Sequence, residues 1–150
     1  MKFKIDIKNK KAKYEYLLID KFIAGIVLKG TEIKSIRNNQ ANISNAYCLF
    51  NNNELFVKDL HINEYTNRGH ANHEPKRTRK LLLNRKELNK ILSKVKEKGN
   101  SIIPIRLFID DKGRAKLEIS LAKGKKLFDK REQIKEKDLK IEMKRKINQK

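Results

Sequence analysis

A single cysteine, Cys48, is the only thiol in the 150 residues. It excludes an internal disulfide and cannot by itself form a thiolate metal site. A reducing, cytoplasmic setting is the expectation that follows. Acidic residues are also scarce, 18 Asp+Glu against 38 Lys+Arg, which leaves a net charge of +20. Such a surplus calls for a polyanionic partner, either a nucleic acid or an acidic membrane face. No apolar run approaches the roughly 18 residues that a membrane span needs. Met1–Asp6 lacks the apolar segment of a secretory signal, so none is expected. A glycine-rich phosphate loop and a paired-carboxylate motif are both missing, so no active site is expected. Hydrophobic residues make up 38%, below the usual roughly 45–50%. That suffices for one modest core with an appendage.

The charge is spread along the chain. Residues 1–122 carry net +13 and residues 123–150 net +7. The first part reads as a folded body, residues 1–122. The second, 123–150, reads as a basic tail with too few apolar residues to fold alone. At their junction Lys123, Lys125, Lys126, Lys130 and Arg131 surround Gly124 and Phe128. Cations neutralise phosphates, glycine admits close backbone approach, and a flat ring stacks on a base. In the tail, Leu139, Met143 and Ile147 recur at i, i+4, i+8, a stripe too thin to order an isolated helix. The tail is expected to be disordered when free.

In the body, Asn9–Lys13 reads as a flexible or ligand-ordered arm. Tyr14–Ile19 and Phe22–Leu28 are rich in β-formers, and Gly25 suggests a bulge or bend. Ile33 and Ile36 are three apart and Thr31 can cap, so one or two helical turns are predicted, stopped at Asn38-Asn39. Ala46–Phe50 and Leu55–Ile62 read as strands joined by an Asn51–Asn53 hairpin turn. Asn63–Pro75 reads as a long loop. The clearest helix starts at Asn84, with Glu87 three residues on to complete a capping box. Leu88, Ile91, Leu92 and Val95 give it one apolar face, and Gly99 is placed to end it. Ser101–Ile109 is a predicted strand with Ile103, Ile105, Leu107 and Ile109 on one face, and Pro104 places it at an edge. After an Asp110–Gly113 turn, the last strand points Ala115, Leu117, Ile119 and Leu121 inward, with Lys116, Glu118 and Ser120 outward. About six short curved strands with an internal helix suggest a mainly β fold. The economical form is a small OB-like closed barrel with one or two helices.

His70, His73 and Glu74 invite a nuclease or metal reading. His70-x-x-His73 lacks further ligands at recognisable spacing. Cys48, inside an apolar strand, reads as core filling. From the residues alone, a general nucleic-acid binder and a metal-dependent nuclease both remain open.

Specific motifs then accumulate in order: Asn9-Lys10-Lys11-Ala12, Ala24-Gly25-Ile26, Gly30-Thr31-Glu32-Ile33-Lys34-Ser35-Ile36-Arg37, Asn72-His73-Glu74-Pro75, Arg77-Thr78-Arg79-Lys80-Leu81-Leu82-Leu83-Asn84, and Ala122-Lys123-Gly124-Lys125-Lys126 with Asp129-Lys130-Arg131. Together they cover nearly the whole chain, which resembles the small protein B (SmpB) family, the SsrA-binding proteins of bacterial trans-translation. The resemblance implies an OB-like barrel that binds the tRNA-like domain of transfer-messenger RNA (tmRNA). It implies delivery to ribosomes stalled on a message without a stop codon, the tail lying helical in the empty message channel by the decoding centre. A cytoplasmic monomer is implied, with no catalysis, cofactor, metal or membrane.

The tmRNA-facing set carried over is Asn9, Lys10, Lys11, Glu32, Lys34, Ser35, Arg37, His73, Arg77, Arg79, Lys80, Leu82 and Asn84. The ribosome-facing set is Lys123, Gly124, Lys125, Lys126, Phe128, Asp129, Lys130 and Arg131. The chain departs from the family pattern at Ile23, where some relatives have a carboxylate, and at Phe128, where others have His or Tyr.

Overall fold

In the computed structural model, the structure describes residues 5–65, 72–96 and 99–124. The elements run β1 (Asp6–Lys8), α1 (Ala12–Glu15), β2 (Tyr16–Ile26), α2 (Gly30–Arg37), β3 (Ala41–Asn42), β4 (Tyr47–Asn51), β5 (Glu54–Lys58), β6 (His61–Ile62), β7 (Arg79–Leu82), α3 (Arg85–Val95), β8 (Asn100–Ile109) and β9 (Ala115–Gly124). The described part is thus mainly β, with three helices rather than the one or two expected. The third is α1, a single turn that spans the end of the expected Asn9–Lys13 arm and the start of the expected Tyr14–Ile19 strand.

The antiparallel pairings close on themselves. β8 pairs β4, β4 pairs β5, β5 pairs β7, β7 pairs β2, β2 pairs β9, and β9 returns to β8. β1 adds to β8 outside this ring, and β3 with β6 forms a separate ribbon. Inside lie Ala24, Leu55, Val57, Leu81, Leu107, Leu117, Ile119 and Leu121, all essentially buried. Leu88 and Ile91 of α3 and Ile36 of α2 join the same core. A second, small cluster of Ala12, Ile103 and Ala122 sits under α1 with Tyr16 and Leu18.

Several local expectations change form. Tyr14–Ile19 and Phe22–Leu28 are not two strands: after α1, one strand of 11 residues runs through. Its irregularity falls between Leu18 and Asp20, not at Gly25. Gly25 instead stays in register between Leu82 and Lys116. A Cβ there would stand 3.3 Å from Leu82 Cβ, so its role is close approach of two strands. Lys29, not Thr31, caps α2, and its N–H donates to Glu32 Oε1 at 2.7 Å. Thr31 is freed for a different bond described below. The Asn-rich hairpin is as expected: Asn52 and Asn53 both take positive φ, 51° and 64°, the geometry of a two-residue primed turn.

β8 is not an edge strand, since β9 flanks one side and β1 and β4 the other. Pro104 is tolerated because a register shift lies between it and Arg106, where β1 has not begun and β4 has ended. That bulge also splits the face expected for β8. Leu107 and Ile109 enter the main core with Ile102, whereas Ile103 turns to the small cluster and Ile105 is half-buried. Asn9 clips the bulge from outside. Its N–H donates to the Ile105 carbonyl at 2.7 Å and its Nδ2 to the Pro104 carbonyl at 3.0 Å. The Asn9–Lys13 stretch is therefore anchored rather than a loose arm. Ser120, expected outward, is buried with its hydroxyl bonded to the Asp20 carbonyl at 3.0 Å.

Asn84 caps α3, accepting from the Glu87 N–H at 2.8 Å. Gly99 takes φ 86°, but it lies beyond the helix end at Val95 and leads into β8. Residues 125–150 lie outside the described residues, and with them the expectation of a free, disordered tail.

Candidate nucleic-acid interface

The organising side chain is Glu32. It sits on the first turn of α2, wholly buried. Its carboxylate accepts from the Lys29 N–H, from Arg77 Nη2 at 2.6 Å, and from Arg79 Nε. Arg79 is equally buried and also donates to the carbonyls of Leu60 (2.7 Å) and Pro75 (3.2 Å). Burial by itself disfavours the Glu32 carboxylate, but the bonds from Arg77, Lys29 and Arg79 outweigh it and hold its pKa below the ordinary value. For Arg79, burial pulls the guanidinium pKa down and the bond to Glu32 opposes it. One carboxylate thus ties α2, β7 and the Pro75–Arg77 turn into a single rigid piece.

His73 completes that piece. It is 2% exposed. Nε2 is 2.9 Å from the Ile62 carbonyl, which can only accept, so Nε2–H donates. Nδ1 shares a 2.9 Å bond with the Thr31 hydroxyl. Both ring nitrogens are engaged. The Asn63–Pro75 loop is pinched at its base, where Asn72 exchanges two side-chain bonds with the Tyr65 backbone, 2.9 and 2.8 Å. His70 lies outside the described residues, and with it the His70, His73 and Glu74 constellation. Among the described residues no group of three or more His, Cys, Asp or Glu could hold a metal. Cys48 is buried and its thiol pKa is pushed far up by desolvation, which suits core filling rather than a nucleophile.

The expected tmRNA-facing residues therefore divide. Glu32, Ser35, His73 and Arg79 are buried. Glu32, His73 and Arg79 spend their polar atoms within the frame, and Ser35 lies behind the surface with its hydroxyl unpaired. Lys34, Arg37, Arg77, Lys80, Leu82 and Asn84 reach the surface around that frame. Arg77 also bonds the Val27 carbonyl at 3.2 Å, and Lys80 pairs with Glu54 at 3.1 Å. Beside them lies a cavity of about 440 Å³ lined by Gly25, Leu28, Lys29, Gly30, Leu82 and Lys116, among others. Leu82 is 52% exposed over Gly25. Cations around an apolar saddle can hold a phosphate backbone and support a base or sugar at once. Neither Lys29 nor Lys116, the latter read only as an outward residue of the last strand, is in the expected tmRNA-facing set. Their signal was the strict alternation of β9 and the position just ahead of the helix.

Asn9, Lys10 and Lys11 are elsewhere. They lie by Tyr16, at the opposite end of β2 from Gly25. Nine residue steps at about 3.3 Å separate the two ends by about 30 Å. Lys123 and Gly124 are at this second end, paired to Leu17 and Tyr16 as the last residues of β9. Lys125, Lys126, Phe128, Asp129, Lys130 and Arg131 lie outside the described residues.

Comparison with known proteins matches this geometry to a family. A family model described as SmpB protein matches residues 6–149. An SsrA-binding protein of Christiangramia forsetii is 57% identical over 140 residues, covering 93% of this chain and 89% of the relative. One from Cytophaga hutchinsonii is 56% identical, covering 94% and 92%. A solved structure described as "tmRNA-SmpB: a journey to the center of the bacterial ribosome" aligns with TM-score 0.70 and 36% identity, over 82% of this chain and 86% of that one. With a matched span that includes both ends of β2 and the tail, the chain belongs to the SmpB family.

Proposed function

We infer that this protein binds the tRNA-like domain of tmRNA and delivers it to stalled ribosomes for trans-translation, acting in the cytoplasm as a positioning protein and not as an enzyme. The observation that carries this reading is the Glu32-centred frame, which fixes Arg77 and joins α2 to β7 beside a saddle lined by Gly25, Lys29, Leu82, Arg114 and Lys116. A pre-ordered cationic surface loses little entropy on binding and gives a strongly salt-dependent, RNA-directed affinity. No described helix is long and apolar enough to cross a membrane. The family relatives carry the name SsrA-binding protein, and the aligned solved structure pairs tmRNA with SmpB in the bacterial ribosome. On this reading the barrel holds tmRNA and the basic tail, which begins after Gly124 rather than at Lys123 because β9 runs on to Gly124, enters the empty message channel beside the decoding centre.

The test is paired. Gel shift measures binding to the tRNA-like domain, and a reconstituted translation reaction on a message without a stop codon measures tagging. Stopping the chain after Gly124, the end of β9, leaves tmRNA affinity within several-fold of the parent and abolishes tagging. A truncated protein that tags at the parent's rate sinks the division between barrel and tail. A parent that fails to prefer the tRNA-like domain over bulk tRNA or duplex DNA sinks the whole reading in favour of a general nucleic-acid binder.

A further inference from the structure

The helix α3 carries more cation than its own stability favours. Its inner face places Leu88 and Ile91 in the main core. Its outer face shows Lys86, Asn89, Lys90, Ser93 and Lys94, all exposed. The single acid within the helix is Glu87. Among the described residues neither Lys86 nor Lys90 has an ion-pair partner. Two local rules are broken here. Arg85 and Lys86 open the helix, where the positive end of the dipole disfavours cations. Lys86, Lys90 and Lys94 stand four apart, and like charges at that spacing repel. A rule broken without a local gain marks a place where a ligand supplies the reason. On the neighbouring strands surface cations do find acids: Lys80 pairs with Glu54 at 3.1 Å and Arg106 with Glu118 at 2.7 Å.

The helix also joins the two ends of β2. Its cap, Asn84, follows closely on Leu82, which pairs with Gly25 at the saddle. Midway, Lys90 Nζ stands 5.8 Å from the centre of the Phe22 ring on β2. At the far end Asn100 Nδ2 donates to the Lys94 carbonyl at 2.9 Å, and Asn100 pairs with Lys123. Lys86 to Lys94 covers about 12 Å along the axis. The five exposed residues include no ring and no apolar side chain, so an unpaired base finds nothing to stack on. What the face offers is ammonium groups in a row, which suits phosphates.

We propose that the outer face of α3 is a rail for the sugar-phosphate backbone of a paired stem of the tRNA-like domain, running on from the part held at the saddle. The inference rests on the tmRNA reading for its choice of RNA. Continuity decides the occupant, because the first lysine of the row lies one helical turn from the Leu82 corner of the saddle. A paired stem turns its bases inward and its backbone outward, and a convex row of lysines without rings holds backbone and not bases. Lys86 and Lys90 are the contacts, and Lys94 ends the row. None of the three is in the expected tmRNA-facing set.

The experiment uses the full chain. Fluorescence anisotropy follows the isolated tRNA-like domain across a salt series. Lys86→Gln combined with Lys90→Gln keeps good helix formers at both positions. It lowers the salt slope by about two contacts, about 0.7–0.9 log units each per tenfold in salt, and weakens binding by about tenfold. Its melting temperature equals or exceeds the parent's, since a repulsion is gone. Lys8→Gln combined with Lys58→Gln removes the same charge from β1 and β5 and changes the slope by less than about one contact. Hydroxyl-radical cleavage of the bound RNA then locates the rail: the α3 variant loses protection along one strand of a paired stem and keeps the rest. Sedimentation with small ribosomal subunits lacking tmRNA is the same for parent and α3 variant. A slope no lower than that of the Lys8 and Lys58 variant overturns the rail. Protection lost from unpaired nucleotides overturns the stem. Loss confined to the ribosomal subunits gives the face to ribosomal RNA and overturns its assignment to tmRNA. A parent that binds bulk tRNA as tightly as the tRNA-like domain defeats the earlier reading of function, while the salt slopes on either RNA still decide the rail.

Discussion

The two ends of β2 solve different problems. At the Gly25 end the exposed cations stand on a buried ionic frame, with Glu32 and Arg79 hidden and Arg77 tethered at the rim. At the Tyr16 end a cleft stands open, its polar atoms uncommitted in part and its walls neutral on balance. A surface meant for a long, fixed polyanion gains from rigid placement of many charges. The lesson is that the charge visible in the composition says little about where charge acts. Several of the most diagnostic charged residues are inside the protein.

The comparison is broken most severely by Arg79→Ala. It strips the partner from a buried carboxylate and leaves the Leu60 and Pro75 carbonyls short of a donor. The expected loss is about 3–5 kcal/mol, read by urea unfolding, and RNA binding at the Gly25 end falls with it. Unfolding unchanged to within about 1 kcal/mol would show that the frame is not needed. Ile91→Ala removes core contacts shared by the whole ring and costs about 2–5 kcal/mol. It acts on neither end selectively, so affinity for the tRNA-like domain holds while the melting temperature drops.

Acid sharpens the contrast next. The Glu32 pKa is depressed in the folded state, so its contribution is fully present above the ordinary Glu value of about 4.3. It is lost as pH falls through the lower folded value. The parent therefore loses stability over that acid window, and Glu32→Gln flattens this limb of a pH-dependent unfolding curve. An unchanged limb would assign acid sensitivity to other carboxylates. Arg77→Ala and Lys80→Ala each reduce the salt slope of tmRNA binding by about one contact. The smallest effect is expected at Gly25→Ala. The new methyl meets Leu82 Cβ at 3.3 Å, an atom fixed by the β7 backbone, so the two strands part by a few tenths of an ångström at a cost of about 1 kcal/mol. Affinity for the tRNA-like domain should fall more than stability does, and the reverse order would deny the saddle its role.

Much of this was legible in the residues. Alternation in β9 as far as Ile119, the Asn84 cap, the Asn-rich hairpin and the apolar face of α3 depend on neighbours within a few positions, and each is where local chemistry puts it. The basic surplus and the ordered family motifs also belonged to the chain as written, and they named a polyanionic partner and then its class. What local pattern could not hold was anything closed over distance. Glu32 and Arg79 are 47 positions apart, and nothing in either neighbourhood says that both are buried and spend their charge on each other. The bulge at Pro104 is possible only because β1 and β4 leave a gap there and Asn9, 95 positions earlier, clips it. The same closure put Asn9 and Glu32 at opposite ends of one strand. Sequence determined which groups were available. Tertiary structure decided which were hidden, which were spent on each other, and which were left to meet RNA, because burial and pairing are properties of the closed ring and not of any segment of it.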